Sequence, residues 1–329
     1  MSSAPLPLAR RPRRRRATRL ALLAAGSLFA LLLGEVAARV HGAVFRSGSI
    51  GSFLRYDERL GWSNLPGAAG RHRAPSFDVP VRIDERGCRV AERAAPPAPL
   101  DGAVWLLGDS MTFGWGVEEP RTFAGGLRAS LAAPVCNFGV SGFGADQQLL
   151  QLRALLERAR PAFVVVTFTY NDVVEVTQSR PYRRAKPRFE LADGALALRG
   201  APPPRDWWME SSHLWRAVMD AAGRFEPQQV SDEQRDRGRA LVVRIYQEMK
   251  RACDAVGSGF LVVCHDAPWL TRRDREAPLP CCDLTEALGR LAEQGPVRFP
   301  DDGHWLPHVH EAVARELSAA LSRGGLRRR

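Results

Sequence analysis

An apolar run from Ala103 to Leu107 stops abruptly at Gly108-Asp109-Ser110. A run that short, bounded by a turn signal, reads as a buried strand rather than a helix. Phe163 to Phe168 is a near-continuous apolar, β-branched run, and Gly259 to Cys264 repeats the type. Strands apolar on both faces belong to parallel sheets covered by helices on each side. The intervening stretches suit that arrangement. Thr122 to Leu131 and Ala145 to Ala159 read as helices, and Ser231 with Gln234 three residues on is a capping box opening a long helix to about Val256. The pattern predicts an α/β fold. Open α/β sheets place their chemistry beyond the carboxyl ends of the strands, where Ser110 stands. Gly108 lets the backbone turn there and Asp109 can hydrogen-bond the turned chain. On its own, this is also what an ordinary strand-to-loop turn looks like.

Three later blocks accompany it: Asn137-Phe-Gly-Val-Ser-Gly142 after a short strand at Val135 to Phe138, Tyr170-Asn-Asp172 after Phe163 to Phe168, and Asp301-Asp-Gly-His304 near the end. In this order, on strand ends, the four blocks resemble the SGNH (GDSL-type) hydrolase family over about residues 100 to 320, in its membrane-anchored bacterial form. The resemblance implies a flavodoxin-like three-layer sandwich with a central parallel sheet. It also implies a carboxylic ester hydrolase. No cofactor and no metal are expected, since Cys281-Cys282 is a poor zinc pattern.

A serine hydroxyl is a poor nucleophile until a base takes its proton. An imidazole titrates in the right range, and a carboxylate on its other nitrogen fixes tautomer and orientation. Ser110, His304 and Asp301 are the candidates for nucleophile, base and orienting carboxylate. Asp302 rivals Asp301, and His308 and His310 rival His304; the resemblance favours Asp301 and His304. It also implies that the backbone N–H groups of Ser110 and Gly142 and the side-chain amide of Asn171 form the oxyanion hole. Thr169 stands where the family usually has glycine, and Leu306 where it commonly has a polar residue. Asp109, Trp207 and Trp208 are candidate substrate-binding residues. Ser141 lies in a glycine-rich turn but lacks the glycine a nucleophile elbow needs, since Phe143 stands there. Phe113-Gly-Trp-Gly116 lacks the rest of a dinucleotide fingerprint.

The net charge of +11 suggests nucleic acid until its location is read. Seven arginines precede Glu35, the first acidic residue, and four more stand at or beyond Arg323, which together equal the whole surplus. The body between is near neutral and shows no basic stripe for nucleic acid. Leu20 to Leu33 carries no charge, and Ala17 to Ala38 is long enough to span a membrane. Arginines before such a segment predict a cytoplasmic N-terminus and an exported remainder, on the periplasmic side. Arg39 opposes cleavage after Ala38, so an anchor is expected rather than a removed signal. The six cysteines follow no framework spacing, and Cys136 and Cys264 fall inside strand candidates; no required disulfide is expected.

The expected organisation is a basic, membrane-inserting segment (1–43), a leader region with a small β extension (44–100), the hydrolase domain (101–322) with an insertion at about 173–230, and a basic tail (323–329). Pro80 is expected to confine the Val79–Ile83 strand to an edge, and Val297–Phe299 to form another edge strand. The resulting reading is an exported serine esterase acting on a small-molecule or carbohydrate acyl ester, with O-acetyl groups of the cell envelope as candidates. The alternatives are an O-acyltransferase using the same residues and a non-catalytic binding module.

Overall fold

The computed structural model describes residues 12–45, 50–91, 97–205, 231–272 and 278–326, together with Ser212, Leu214, Trp215 and Val218. Trp207 and Trp208 lie outside the described residues. The chain divides into two units, one of residues 1–46 and 207–227, the other of 47–206 and 228–329.

The smaller unit is organised on helix α1 (Pro12–Phe45). Its stretch Arg16–Val40 is long and apolar enough to cross a membrane, as a signal sequence also is, and its side chains are exposed. Glu35 near its end accepts hydrogen bonds from Arg39 (2.8 Å), the Ser212 hydroxyl (2.8 Å) and the Leu214 N–H (2.9 Å).

The larger unit holds an eight-stranded mixed sheet. Its parallel part comprises β6 (Val104–Leu107), β7 (Val135–Asn137), β8 (Phe163–Thr167), β11 (Gly259–Cys264) and β12 (Cys281–Asp283). They lie side by side as β7-β6-β8-β11-β12, so that the first of these strands sits between the second and third. This is the flavodoxin order, whose crevice opens where connections leave the first and third strands in opposite directions. Alternate residues explain why the strands are apolar throughout. Val104, Leu106 and Val165 face one layer with α3 (Phe123–Ser130) and α8 (Pro307–Arg323). Trp105, Leu107 and Val164 face the other, with α4 (Ala145–Leu156) and α6 (Asp232–Asp254). Helix α7 (Thr285–Gln294) lies nearer the surface.

Helix ends follow local chemistry. Ser231 and Gln234 close the capping box on α6, the Thr122 hydroxyl caps α3, and Pro307 opens α8, where its missing N–H costs nothing.

The leader does more than pack on the sheet. Strands β3 (Ala69–Ala74), β4 (Phe77–Ile83) and β5 (Arg89–Val90) continue it antiparallel beyond β7. They cover the β7 edge, whose backbone groups would otherwise be unpaired. β4 is therefore not an edge strand as a whole. Pro80 is tolerated because β5 pairs only with Arg82 and Ile83, so at Pro80 only β3 runs alongside. The leader also forms a hairpin, β1 (Leu54–Asp57) with β2 (Gly61–Asn64), and the insertion forms a second, β9 (Arg188–Ala192) with β10 (Ala195–Arg199). The strand expected at Val297–Phe299 is reduced to a bridge between Arg298 and Trp305, which pinches a loop around His304. None of the six cysteines is joined in a disulfide.

Candidate functional site

A cavity of about 490 Å³ opens beyond the carboxyl ends of β6 and β8 and is lined by Ser110, His304, Gly142 and Asn171 among others. Each comes from a strand end or the loop pinched by the Arg298–Trp305 bridge, so the topology alone brings four distant stretches together.

Ser110 begins the short helix α2 (Ser110–Phe113), capped by Asp109, whose Oδ1 accepts from the Met111 N–H at 2.8 Å. The turn admits only glycine at 108, where an added Cβ would lie 2.1 Å from Thr112 Oγ1. Beyond α2 the chain is braced from inside. The buried Arg89 guanidinium donates to the carbonyls of Phe113 (2.7 Å), Gly114 and Val117 (2.5 Å), and packs over the Phe113 ring. Burial, with Arg128 nearby, lowers its pKa to about 9.

His304 Nε2 lies 2.7 Å from Ser110 Oγ. Its Nδ1 meets Asp302 Oδ1, and the same oxygen accepts from the His304 backbone N–H at 3.0 Å. Asp301, expected in this place, is exposed one residue further out on the loop. The reason is local: the Phe299 N–H bonds the His304 carbonyl (3.0 Å) and the Asp302 N–H bonds the Phe299 carbonyl (3.2 Å), which turns Asp302 inward and Asp301 outward. The imidazole also stacks on Trp115, centroids 4.6 Å apart and planes 11° apart, and Trp115 is buttressed edge-on by the buried His72. Burial lowers His72 to a pKa of about 4, so it stays neutral.

The other histidines lie elsewhere. His310, on α8, is buried beside Phe123 and its pKa is lowered to about 3 by burial. His308 is exposed. His265 faces Asp266 and does not line the cavity.

On the opposite wall, Gly142 has φ +76°, and a Cβ there would lie 3.1 Å from the Tyr182 ring. Asn171 Nδ2 donates to Glu175 Oε1 at 2.9 Å, from within reach of the cavity. Asp109 lines the cavity, but its second oxygen accepts from the Thr169 hydroxyl at 2.7 Å, so the threonine that replaces the family's glycine is bound into the turn. Burial raises the Asp109 pKa despite these bonds. Asp172 on α5 (Asp172–Glu175) is fully buried, accepts from the Thr169 N–H (3.0 Å), and is held well above the usual carboxylate range by burial and by Asp109.

Several contributors carry no motif of their own. Leu54 and Trp62 come from the β1–β2 hairpin, Tyr182 and Arg184 from the start of the insertion, and Arg298 from the bridge. Trp62 Nε1 donates to the Ser141 carbonyl at 3.0 Å, fixing the turn that precedes Gly142. Among the described residues, no group of three His, Cys, Asp or Glu side chains is placed to hold a metal ion.

The profile of the GDSL-like lipase/acylhydrolase family matches residues 106–306. Among solved structures, a lipolytic G-D-S-L protein from Veillonella parvula is 11% identical, covers 67% of this chain and 98% of its own, and has a TM-score of 0.42. A lipase/acylhydrolase from Enterococcus faecalis is 15% identical, with coverage of 69% and 98% and a TM-score of 0.38. An acetyl xylan esterase from the rumen bacterium Butyrivibrio proteoclasticus is 11% identical, with coverage of 70% and 65% and a TM-score of 0.35. No curated protein matches the chain. The family profile spans more than half of the sequence, and the chain belongs to the GDSL-like lipase/acylhydrolase family as a carboxylic ester hydrolase.

Proposed function

We propose that this protein is a membrane-anchored serine esterase of the cell envelope that removes small acyl groups, O-acetyl groups of carbohydrate among them, through an acyl-enzyme on Ser110. The single observation that carries the reading is the 2.7 Å contact between Ser110 Oγ and His304 Nε2 at the mouth of the β6–β8 crevice.

In this reading His304 Nε2 takes the Ser110 proton as Oγ attacks the ester carbonyl carbon. Asp302 holds Nδ1–H and stabilises the imidazolium that forms. The carbonyl oxygen, now negative, is met by the backbone N–H groups of Ser110 and Gly142 and by the Asn171 amide; donors of this kind contribute about 10²- to 10³-fold each. The imidazolium returns its proton to the departing alkoxide as the C–O bond breaks. Water then repeats the sequence, with His304 as its base, and frees the acid.

The cavity has room for a short acyl group with one sugar unit. Tyr182, which is exposed, offers a flat face to a sugar ring, and Arg184 and Arg298 offer donors to its oxygens. The arginine-rich preface and the apolar α1 support anchoring, with the larger unit outside the cytoplasm.

The experiment is a chain-length profile on nitrophenyl esters, paired with acetate release from an acetylated glycan. A profile falling steeply beyond butyrate, with acetate released from the glycan, is expected. A maximum at long chains would replace this substrate reading with a lipase. Acetate moved onto an added sugar in preference to water would make the protein a transferase.

A further inference from the structure

The wall opposite His304 contains a buried acid that the mechanism above does not use. Glu175 sits one helical turn after Asn171 and is 4% exposed. Its Oε1 accepts from both Asn171 Nδ2 (2.9 Å) and the Tyr182 hydroxyl, while its Oε2 is buried with no partner. A carboxylate accepts only, so it can bind the nitrogen end of the Asn171 amide and not the oxygen end. One N–H is thereby held, and the amide, with Asp109 also beside it, lines the cavity.

Tyr182 is unusual in its own right. Its backbone has φ 52° and ψ 24°, a left-handed conformation that a bulky residue rarely adopts. Such strain persists only where surrounding structure enforces it, and it concentrates at functional sites. Here the surroundings are plain. The Tyr182 ring lies against Gly142, its hydroxyl reaches Glu175, and four residues on, Lys186 is clamped to Asp146 in a wholly buried ion pair. One strained side chain therefore touches the Gly142 turn and the acid that holds Asn171.

We infer that Glu175 is a positioning residue that sets the Asn171 amide for the oxyanion, with Tyr182 as the strap that holds Glu175 and the Gly142 turn together. The inference rests on the esterase reading of this site. Its electrostatics follow from the groups around the acid: Asp109 from the strand-end turn, Asp172 on the same short helix, Asp146 from α4, and Lys186 and Tyr182 from the strap. Burial first, with Asp109, raises Glu175; the bonds from Tyr182 and Asn171 and the charge of Lys186 pull it back, to a pKa of about 7. Above that pH the carboxylate accepts from both partners. Below it a proton occupies one oxygen and the hold on the amide weakens.

The test measures kcat and KM on nitrophenyl acetate from pH 5 to 9, with thermal unfolding, for the full-length protein in detergent and for Glu175→Gln, Tyr182→Phe and Ser110→Ala. Glu175→Gln should lower kcat about 10- to 100-fold with KM changed less than about twofold, since the lost orientation matters most in the transition state. Tyr182→Phe keeps the ring but removes a bond that favours the charged carboxylate, so the acidic limb of kcat should move to higher pH. A folded Glu175→Gln protein with wild-type kcat, or a Tyr182→Phe limb that stays put or moves to lower pH, would overturn the inference. If Glu175→Gln does not fold, the Tyr182→Phe limb decides alone. Turnover that survives in Ser110→Ala, or is lacking in wild type, would instead sink the esterase reading, and this inference with it.

Discussion

Ser110 and His304 reach the same cavity by different constructions. Ser110 stands at the end of β6, whose residues are all buried, on a turn that packs Gly108 against Thr112 and is braced below by the Arg89 guanidinium. His304 stands on a loop closed by one backbone bridge, between the exposed Gly303 and the buried Trp305, and its ring is steadied by Trp115 and Asp302. The nucleophile is thus placed by the core and the base by a small surface loop. Changes on the first arm should register as lost stability, whereas changes on the second should register as lost rate in a protein that remains folded.

The largest effect tests the loop arm. His304→Ala should lower kcat/KM by about 10⁴-fold or more, as removal of a base from such a unit does, with a melting temperature close to wild type. Unfolding on this substitution would break the contrast between the arms. Asp302→Ala comes next, with an expected loss of about 10²- to 10⁴-fold in kcat, against less than about threefold for Asp301→Ala. Equal effects, or a reversed order, would return the orienting role to Asp301.

The core arm is tested by Arg89→Met in urea unfolding. The Phe113 and Val117 carbonyls lose this donor while Gly114 keeps the Val117 N–H, and leaving such groups buried costs about 1–3 kcal/mol each, so a loss of about 2 kcal/mol or more is expected. Retained stability would mean the turn after Ser110 is held by something else.

The smallest effect concerns His310, which joins α8 to α3 behind the loop. Its folded pKa is depressed from 6.5 to about 3, so the stability it confers is present above pH 6.5 and is lost as pH falls toward the folded value. A His310→Leu protein lacks that titration. The stability difference between wild type and variant should therefore shift against wild type by about 2 kcal/mol between pH 7 and pH 5. A pH-independent difference would contradict the buried neutral state.

What could be read from the sequence divides along the same line. The strand runs at 104–107, 163–167 and 259–264, the Ser231 capping box and the strand-end positions of Ser110 and Asn171 are local signals, because burial on both faces and helix ends each leave a pattern in neighbouring residues. Gly142 and His304 rest on the motifs that resemble the family's. The choice between Asp301 and Asp302 was not legible, since it depends on how the Phe299–His304 turn closes rather than on spacing. Trp115, Tyr182 and Arg89 carry no signal, because each meets a partner remote in the chain: His304, Gly142 and the carbonyls from Phe113 to Val117. Glu175 lies four residues from Asn171, a spacing that any exposed helix pair shares. The leader reads as a β extension, but its continuity with the sheet depends on the β7 edge that it covers, which no leader residue reveals.

The most direct measurement is covalent labelling of the full-length protein with a fluorophosphonate, followed by mass analysis of its peptides. A single adduct on Ser110, formed by wild type and not by His304→Ala in the same time, is predicted. An adduct on another residue, or labelling that persists in Ser110→Ala, would contradict the account.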